Sequence, residues 1–552
     1  MQQSEDDAGF REGGRASSIT EESMAIVAKH WFEILGTPPE DQQDFSRAGG
    51  ASVDLLELQM RLLRDSSLSL DLSRLPDPLT FDALINSVES ALGERGGPNN
   101  ALSSSEEVED VVEGPASSAQ IEQWIAEKIQ PESCEYIVPV RIRIPDGTTW
   151  EALDSAIVAV TNVHPSLRTS IHIINGDESQ FVQRVHPPVR SSGLISRPAI
   201  AVEQDLPGFL RSGSVPMPTV GGERKCQAIG LVDNGRMESV LLVFHHVAVD
   251  DHSLGLIVRD LMGELDGEPC ADEDGSLLEW SSKTNTGMEE TEAWWRGRLE
   301  SVPTGLDLET VMTAQSVPSA SEEVVCEVAP DVVDAIDEQI REHGVMRSAA
   351  AIGILRDALY ELELAHGDSV AIGTPMSLRD HPAVLGTTGM FLNTVPVVVD
   401  RTSSLNDVAS NLWETKSHRR MPYLGIVEAI SPDRIPGRSA WLDACIGIME
   451  SRESQPLPWE LVSPGETPFP ILVMARWTPK GLDITCQVQT RFGGRQLAGL
   501  ILEAFTRGMA RLADKKTWEP KPRSVLVGRP SASVDRTVVD LVSDRIISSP
   551  TA

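Results

Sequence analysis

The stretch GERGGPNNALSSSEEVEDVVE, residues 93–113, constrains the fold of this chain more than any other. Glycine, serine and asparagine make its start flexible, and its acidic end extends by self-repulsion, so it reads as a linker. It divides the chain into a short unit before it and a large one after it. At 552 residues the chain is in any case too long for one ordinary core, and two to four domains are expected.

Ahead of the linker, residues 1–19 are acidic and polar without an apolar core; they read as disordered and not as a signal peptide. From Thr20 the pattern becomes helical. Thr20 offers a cap, Glu21 and Glu22 form an acidic first turn, and Met24, Ile26, Val27, Trp31, Ile34 and Leu35 form an apolar stripe. Gly49 and Gly50 open a turn, Val53 to Leu63 repeats the amphipathic pattern, and Phe81 to Leu92 gives a third helix. A bundle of roughly 75 residues can fold alone.

Beyond the linker, from about Gly114 to about Trp518, strand patterns such as ESVLLVFHHVAV and LDITCQVQT alternate with helical ones such as WEALDSAIVAVTNV and RQLAGLILEAFTRGMARLA. This alternation predicts α/β sandwich layers, within an α+β or α/β class. SSKTNTG, residues 281–287, is a candidate hinge between two subdomains. The chain ends in a Pro-rich linker followed by the start of a new amphipathic pattern, TVVDLVSDRI.

Composition narrows the function. A formal net charge of −36 repels a phosphate backbone and argues against nonspecific nucleic-acid binding, while it suits docking to basic patches. The six cysteines are scattered, with no CxxC pair, which suggests neither a zinc site nor a disulfide framework; a reducing cytoplasm is the simplest compartment. No apolar run is long enough to span a bilayer.

Two positions carry candidate chemistry. Ser52 opens a helix just after Gly49 and Gly50. Its plain reading is an N-cap, and its functional reading is a modification site whose hydroxyl is exposed by the glycines. In HHVAVDD, an apolar strand delivers His245 and His246 to its end, and alternation sends the imidazoles to opposite sides. One can face a cleft while the core pins the other, and histidine suits proton transfer near neutral pH. An isolated pair of this kind is more often structural. Metal ligation is disfavoured, because the two rings point apart and no third ligand is evident.

The small unit resembles a peptidyl carrier domain of nonribosomal peptide synthetases over about residues 20–95, through Asp44, Phe45, Gly49, Gly50 and Ser52. That resemblance implies a covalent 4′-phosphopantetheine arm on Ser52. Ser46, Arg47 and Ala48 depart from the family's apolar residues there. In the large unit, HHVAVDD resembles the HHxxxDG motif of nonribosomal peptide condensation domains, members of the chloramphenicol-acetyltransferase-like superfamily. Collinear segments agree: PASSAQIEQW (115–124), HPSLRTS (164–170, with Pro165 in place of Glu), AWWRGRL (293–299), VAIGTPMSLR (370–379), GMFLNTVPV (389–397) and HRRMPY (418–423). The tail is similar to the start of an adenylation domain.

The resemblance implies a V-shaped pseudo-dimer of two α/β sandwich subdomains, residues 114–285 and 286–520, with a tunnel between them. Residues 20–95 would be the carrier, 96–113 its linker, and 521–552 a linker with a truncated adenylation start. The implied reaction is amide formation by an acceptor aminoacyl amine on a donor peptidyl thioester. The donor carrier lies in cis, the aminoacyl carrier and adenylation domain lie downstream, and neither nucleic acid nor membrane takes part; the chain is expected to be a monomer. By motif position His246 is catalytic, as base or as orienting group, and His245 supports it. Asp250 forms a structural ion pair with Arg379, or failing that Arg168; Gly389, Phe391 and Asn393 are the tunnel motif. Asp251 replaces the motif glycine. It reads as the cap of the helix beginning near Ser253 in a turn that Asp tolerates, with the alternative that it attracts an ammonium group or raises the histidine pKa. Glu122 stands where Arg is usual, and Arg419 and Arg420 replace Gln and Asp. Epimerisation, heterocyclisation and noncatalytic docking are the rivals. The first lacks a convincing second acidic site, the second would replace the histidine pair with Asp, and the retained His246 argues against the third.

Overall fold

A computed structural model describes residues 23–35, 38–39, 43, 45, 48, 58, 61–62, 80–94, 111–174, 180–193, 195–198, 206–212, 215–233, 236–270, 277–282, 289–308, 319–433, 435, 437–450, 458–478 and 481–513. Ser52, Asp44, Gly49, Gly50, the candidate hinge from residue 283 to 287, residues 1–19 and residues 521–552 lie outside these.

In the small unit, α1 (residues 23–35) and α2 (Phe81–Glu94) are helices, and positions 58, 61 and 62 are helical too. Val27, Trp31, Ile34 and Leu35 are buried, as the stripe predicts, whereas Met24 is exposed. Trp31 sits edge-on to Phe45 and to Phe81, each with ring centroids 5.4 Å apart. The Phe of the Asp-Phe segment is thus a core anchor; such aromatic pairs add about 0.5–1.5 kcal/mol beyond their burial.

The large unit opens with β1 (Val112–Pro115) and α3 (Ser118–Ile129). Ser117 starts α3 by a capping box: its side chain accepts from Gln120 N at 3.3 Å, and Gln120 Oε1 accepts from Ser117 N at 2.8 Å. There follow β2 (Ile137–Arg143), α4 (Trp150–Val163), β3 (Thr169–Ile174), β4 (Gln180–Val185), β5 (Ile195–Pro198), α5 (Leu206–Arg211), β6 (Cys226–Asp233), β7 (Arg236–His245), α6 (Asp251–Asp266), α7 (Leu277–Ser282) and α8 (Glu289–Leu299). The second half holds β8 (Ser321–Val328), α9 (Pro330–His343), α10 (Arg347–Glu361), β9 (Ser369–Ser377), β10 (Leu392–Asp400), α11 (Leu405–Ser417), α12 (Tyr423–Ile430), β11 (Ala444–Glu450), β12 (Trp459–Leu461), β13 (Ile471–Thr478), β14 (Gly481–Gln489) and α13 (Gly494–Ala513).

Two large sheets organise these elements. The first has strand order β12-β2-β7-β6-β5 and the second β10-β9-β11-β13-β14-β8, while β1, β4 and β3 form a small third sheet. The second sheet is mixed: β11 runs parallel to both β9 and β13, and its other pairs are antiparallel. Helices α4 and α6 pack together in the first half, and α13 covers β8 and β14 in the second. The second half buries one apolar cluster, and the main cluster of the first half is continuous with the small unit's core around Trp31, Phe45 and Phe81.

The halves are tied by an exchanged strand. β12 follows β11 in sequence but pairs with β2 of the first sheet, Trp459 opposite Ile142 and Leu461 opposite Val140. Residues 459–461 fall within the segment assigned from sequence to the second subdomain, and their backbone completes the first. Three residues are too short for an alternation pattern, and only the partner edge makes them a strand.

Candidate active site

β7 carries the site. Its residues Ser239 to His245 are all buried, so SVLLVFH is apolar without alternation, as expected of a strand covered on both faces. The strand stops at His245, whose Nδ1 accepts a hydrogen bond from Val247 N at 3.1 Å and turns the chain into a short 3₁₀ segment, His246–Ala248. Because Nδ1 accepts, Nε2 carries the proton in neutral His245, and it lies 3.2 Å from Glu127 Oε2 of α3. Burial lowers the His245 pKa, and Glu127 opposes that shift. Glu127 Oε2 also accepts from Val220 N at 2.7 Å. Beside it, Lys225 is fully buried and donates to Gly222 O; burial brings its pKa down to about 7, with Glu127 again opposing. His245 is therefore pinned by the core.

His246 is placed differently. Its backbone N–H donates to Tyr136 O at 2.8 Å, which fixes the turn. The ring is half-buried, and its Nδ1 has no protein partner among the described residues. His246 lies past the strand end, in the 3₁₀ segment, so strand alternation does not set the direction of its ring.

Asp250 ends the turn and caps α6: its Oδ1 accepts from Ser253 N at 2.8 Å and from Ser253 Oγ at 2.6 Å. Arg379 meets it with two prongs, Nε to Oδ2 at 3.1 Å and Nη2 to Oδ1 at 3.0 Å. Both side chains are buried. Phe391 N donates to Oδ2 at 3.2 Å, Arg379 Nη1 donates to Thr387 O at 2.6 Å, and the guanidinium lies 4.1 Å from the Phe391 ring centre. Every lone pair and donor of this buried pair has a use, which offsets the desolvation of two charges. The knot joins the start of α6 in the first half to the β9–β10 segment of the second.

The structure corrects two expectations here. The cap of α6 is Asp250 and not Asp251, which is the first helical residue. Nor is Asp251 in a left-handed turn, since no positive φ occurs there. Its carboxylate reaches solvent while protein surrounds it on most sides. This enclosure and the neighbouring Asp250 raise its pKa, against Arg476 and His252. Arg168 does not reach Asp250; it donates to the carbonyls of His186 and Asn162.

The tunnel-motif residues converge on the same knot. Gly389 has φ +148°, and a Cβ there would meet Leu277 at 2.9 Å and Phe391 at 3.0 Å. Its N–H donates to Ser253 Oγ at 3.0 Å. Phe391 is fully buried, edge-on to Trp280 at 5.0 Å. Asn393 Nδ2 donates to Arg419 O at 2.7 Å and Met421 O at 2.6 Å, which ties the HRRMPY segment to β10. Arg419 and Arg420 both pair with Asp380, at 3.2 and 2.7 Å.

A cavity of about 170 Å³ opens between the halves, lined by α3, the approach to β2, β10, α12 and the segment before α13. Tyr136, whose carbonyl holds His246, is part of its wall. Glu122 and Glu135 also line it. Burial raises the Glu122 pKa to about 7, a backbone hydrogen bond from Leu424 resisting; burial and Glu466 raise that of Glu135 to about 8, Arg491 resisting. Sequence reading marked Glu122 only as a departure from a motif. It missed Glu135, Glu127, Gln123 and Arg491, whose single sequence signal is a charged or amide residue interrupting an amphipathic stretch.

A family model described as Condensation domain matches residues 112–455 and leaves 20–95 and 521–552 outside the match. Surfactin synthase subunit 1 of Bacillus subtilis (strain 168) is 23% identical over 570 residues, covering 96% of this chain. The chain spans only 15% of that relative's length. Among solved structures, the first condensation domain of the CDA synthetase is similar with a TM-score of 0.61 and 16% identity, over 73% of this chain and 97% of that one. The X-domain from teicoplanin biosynthesis is similar with a TM-score of 0.59 and 17% identity, over 73% and 95%.

Proposed function

This chain belongs to the condensation-domain family, the peptide-bond-forming acyltransferases of nonribosomal peptide synthetases, and from that premise we infer a reaction for its own residues. The acceptor aminoacyl amine attacks the carbonyl carbon of the donor peptidyl thioester. The C–N bond forms, the C–S bond breaks, and one proton passes from the amine nitrogen to the departing thiol sulfur. His246 faces the amine. The observation that supports this role is the contrast at the strand end: His245 is locked to Glu127, while the His246 ring is only half-buried and has no side-chain hydrogen bond among the described residues; its Nδ1 is enclosed, which leaves Nε2 for the amine. No carboxylate among those residues bonds the His246 ring to stabilise an imidazolium, which favours orienting the amine by hydrogen bonding, the proton leaving as the C–N bond forms. Tethering both substrates supplies much of the rate through proximity.

In this reading residues 20–95 are the upstream carrier, with its 4′-phosphopantetheine on Ser52, and residues 521–552 lead into an adenylation domain. The acceptor carrier lies downstream in the same synthetase. Asp250 and Arg379 hold the turn and do not touch substrate.

The test loads the Ser52 arm with a donor acyl group, adds an aminoacyl downstream carrier and follows amide product by mass spectrometry. His246→Ala should lower turnover about 10²- to 10⁴-fold with an unchanged melting temperature. Unchanged turnover would remove His246 from the chemistry, and no product from the wild type would favour a docking role. A Ser52→Ala chain that still gains the phosphopantetheine mass would overturn the carrier assignment.

A further inference from the structure

The cavity beside Tyr136 carries more hydrogen-bond acceptors than its neighbours satisfy. Glu122 and Glu135 line it, and among the described residues no side-chain hydrogen bond engages the Glu135 carboxylate. Gln123, on the same wall, is 1% exposed; its Nε2 donates to Met390 Sδ at 2.8 Å, and its Oε1 is buried without a partner among the described residues. Leaving a buried acceptor unpaired costs about 1–3 kcal/mol, so the Gln123 oxygen calls for a donor, and the half-buried carboxyls of Glu122 and Glu135 add acceptors beside it.

The charges facing the cavity sharpen its sign. Arg438 is neutralised by Asp443, with which it forms two hydrogen bonds. Arg491 donates from Nε to Gln489 Oε1 at 2.9 Å and from Nη2 to Gly437 O at 2.9 Å, and its charge faces Glu135. Tyr136 stays neutral, since burial pushes its pKa up, and Glu466 is bonded to Ser133 and Cys134 N just behind Glu135. With Arg438 matched by Asp443, the lining sets two carboxyls, Glu122 and Glu135, against the one guanidinium of Arg491. Leu392, Leu424 and Phe469 supply an apolar wall for methylene groups.

We propose that this cavity binds the aminoalkyl side chain of a carrier-bound aminoacyl substrate, its terminal ammonium held by Glu122, Glu135 and the Gln123 amide oxygen. The inference rests on the condensation reading, because it takes the occupant to be a substrate of that reaction. Desolvation raises the pKa of both carboxyls, and an ammonium group beside them would favour their charged form and so release protons.

Calorimetry with the full chain tests this, using the N-acetylcysteamine thioesters of ornithine and of norvaline, which differ by the terminal amine. The ornithine thioester should bind about 10- to 100-fold tighter, in line with charge-assisted hydrogen bonds in a buried site. Its heat should vary with buffer ionisation because protons are released. Glu122→Gln, with the wild-type melt as control for folding, should shrink the ornithine-to-norvaline ratio about 10-fold. Equal binding of the two thioesters, or a ratio untouched in both Glu122→Gln and Glu135→Gln, overturns the proposal. Condensation assays offering ornithine on the donor arm or on the acceptor then assign the side, either preference supporting it. If no pair of substrates condenses while the binding ratio persists, the reaction reading fails and only the ammonium-binding cavity stands; if norvaline condenses as well as ornithine on both sides, the cavity assignment fails alone.

Discussion

Two acidic sites lie within one fold, one buried and one half-buried, and they are built on opposite plans. At the Asp250 knot the carboxylate receives Arg379 twice, Ser253 twice and Phe391 N, so the charge is fully used within the protein. In the cavity, Glu122 and Glu135 are enclosed with few donors, and burial lifts both pKa values. A buried carboxylate with every lone pair matched is architecture; one left short of donors is available to something that arrives. The turn between them holds one histidine of each kind.

The largest break in this comparison comes from Asp250→Ala. It strands a buried guanidinium and removes the cap of α6, which should cost about 3–5 kcal/mol. Soluble yield and melting temperature should fall before any assay can report on chemistry. A well-folded, inactive variant would instead place Asp250 in the reaction.

Next in size is Gly389→Ala. The added Cβ meets Leu277 and Phe391 below 3.1 Å at φ +148°, a conformation L-residues avoid at a cost of about 1–3 kcal/mol. Chemical denaturation should show that loss, and a neutral result would mean that the knot tolerates movement between the halves.

Glu127→Gln tests the pinned histidine. A glutamine can still accept from the Val220 N–H and the His245 Nε2–H but no longer offers charge to His245 and Lys225. A loss of about 1 kcal/mol is expected for weakening charge-assisted bonds to neutral ones. Nitrogen NMR of His245 should keep the Nε2–H tautomer; a switch to Nδ1–H would show that Glu127 alone sets it.

The knot was legible in the sequence because the motif spacing places Asp250 at the strand end and a resemblance supplies Arg379. The cap was misassigned because two adjacent aspartates look alike in sequence; only the backbone, extended at Asp250 with φ −120° and helical after it, decides which one accepts from Ser253 N. The cavity was nearly invisible. Glu122, Glu135, Met390 and Arg491 are brought together only when the two halves meet, and no local period encodes that meeting. The strand exchange by β12 has the same character: three residues have no pattern of their own and take their structure from the edge of β2.

The subtlest expected difference is in the pH dependence of stability. Glu122 and Glu135 titrate at about 7 and about 8 in the folded chain against an ordinary 4.5. Between pH 4.5 and about 8 the folded state holds protons that the unfolded state has released, so stability falls as pH rises through that window and the contribution is fully present only below it. The lowered pKa values of His172, His186 and His245 act the other way, as stability rises with pH where the unfolded histidines lose their protons. The raw melting curve mixes these effects, and the comparison with Glu122→Gln separates them. The variant should lose less stability than the wild type between pH 5 and pH 8, by at most about 1.4 kcal/mol per pH unit for one group. Below pH 4.5 the two should run parallel, because both carry a neutral side chain at that position. Parallel melts over the whole range would mean that water or an unseen donor already meets the Glu122 carboxylate, and the contrast with Asp250 would then be one of degree.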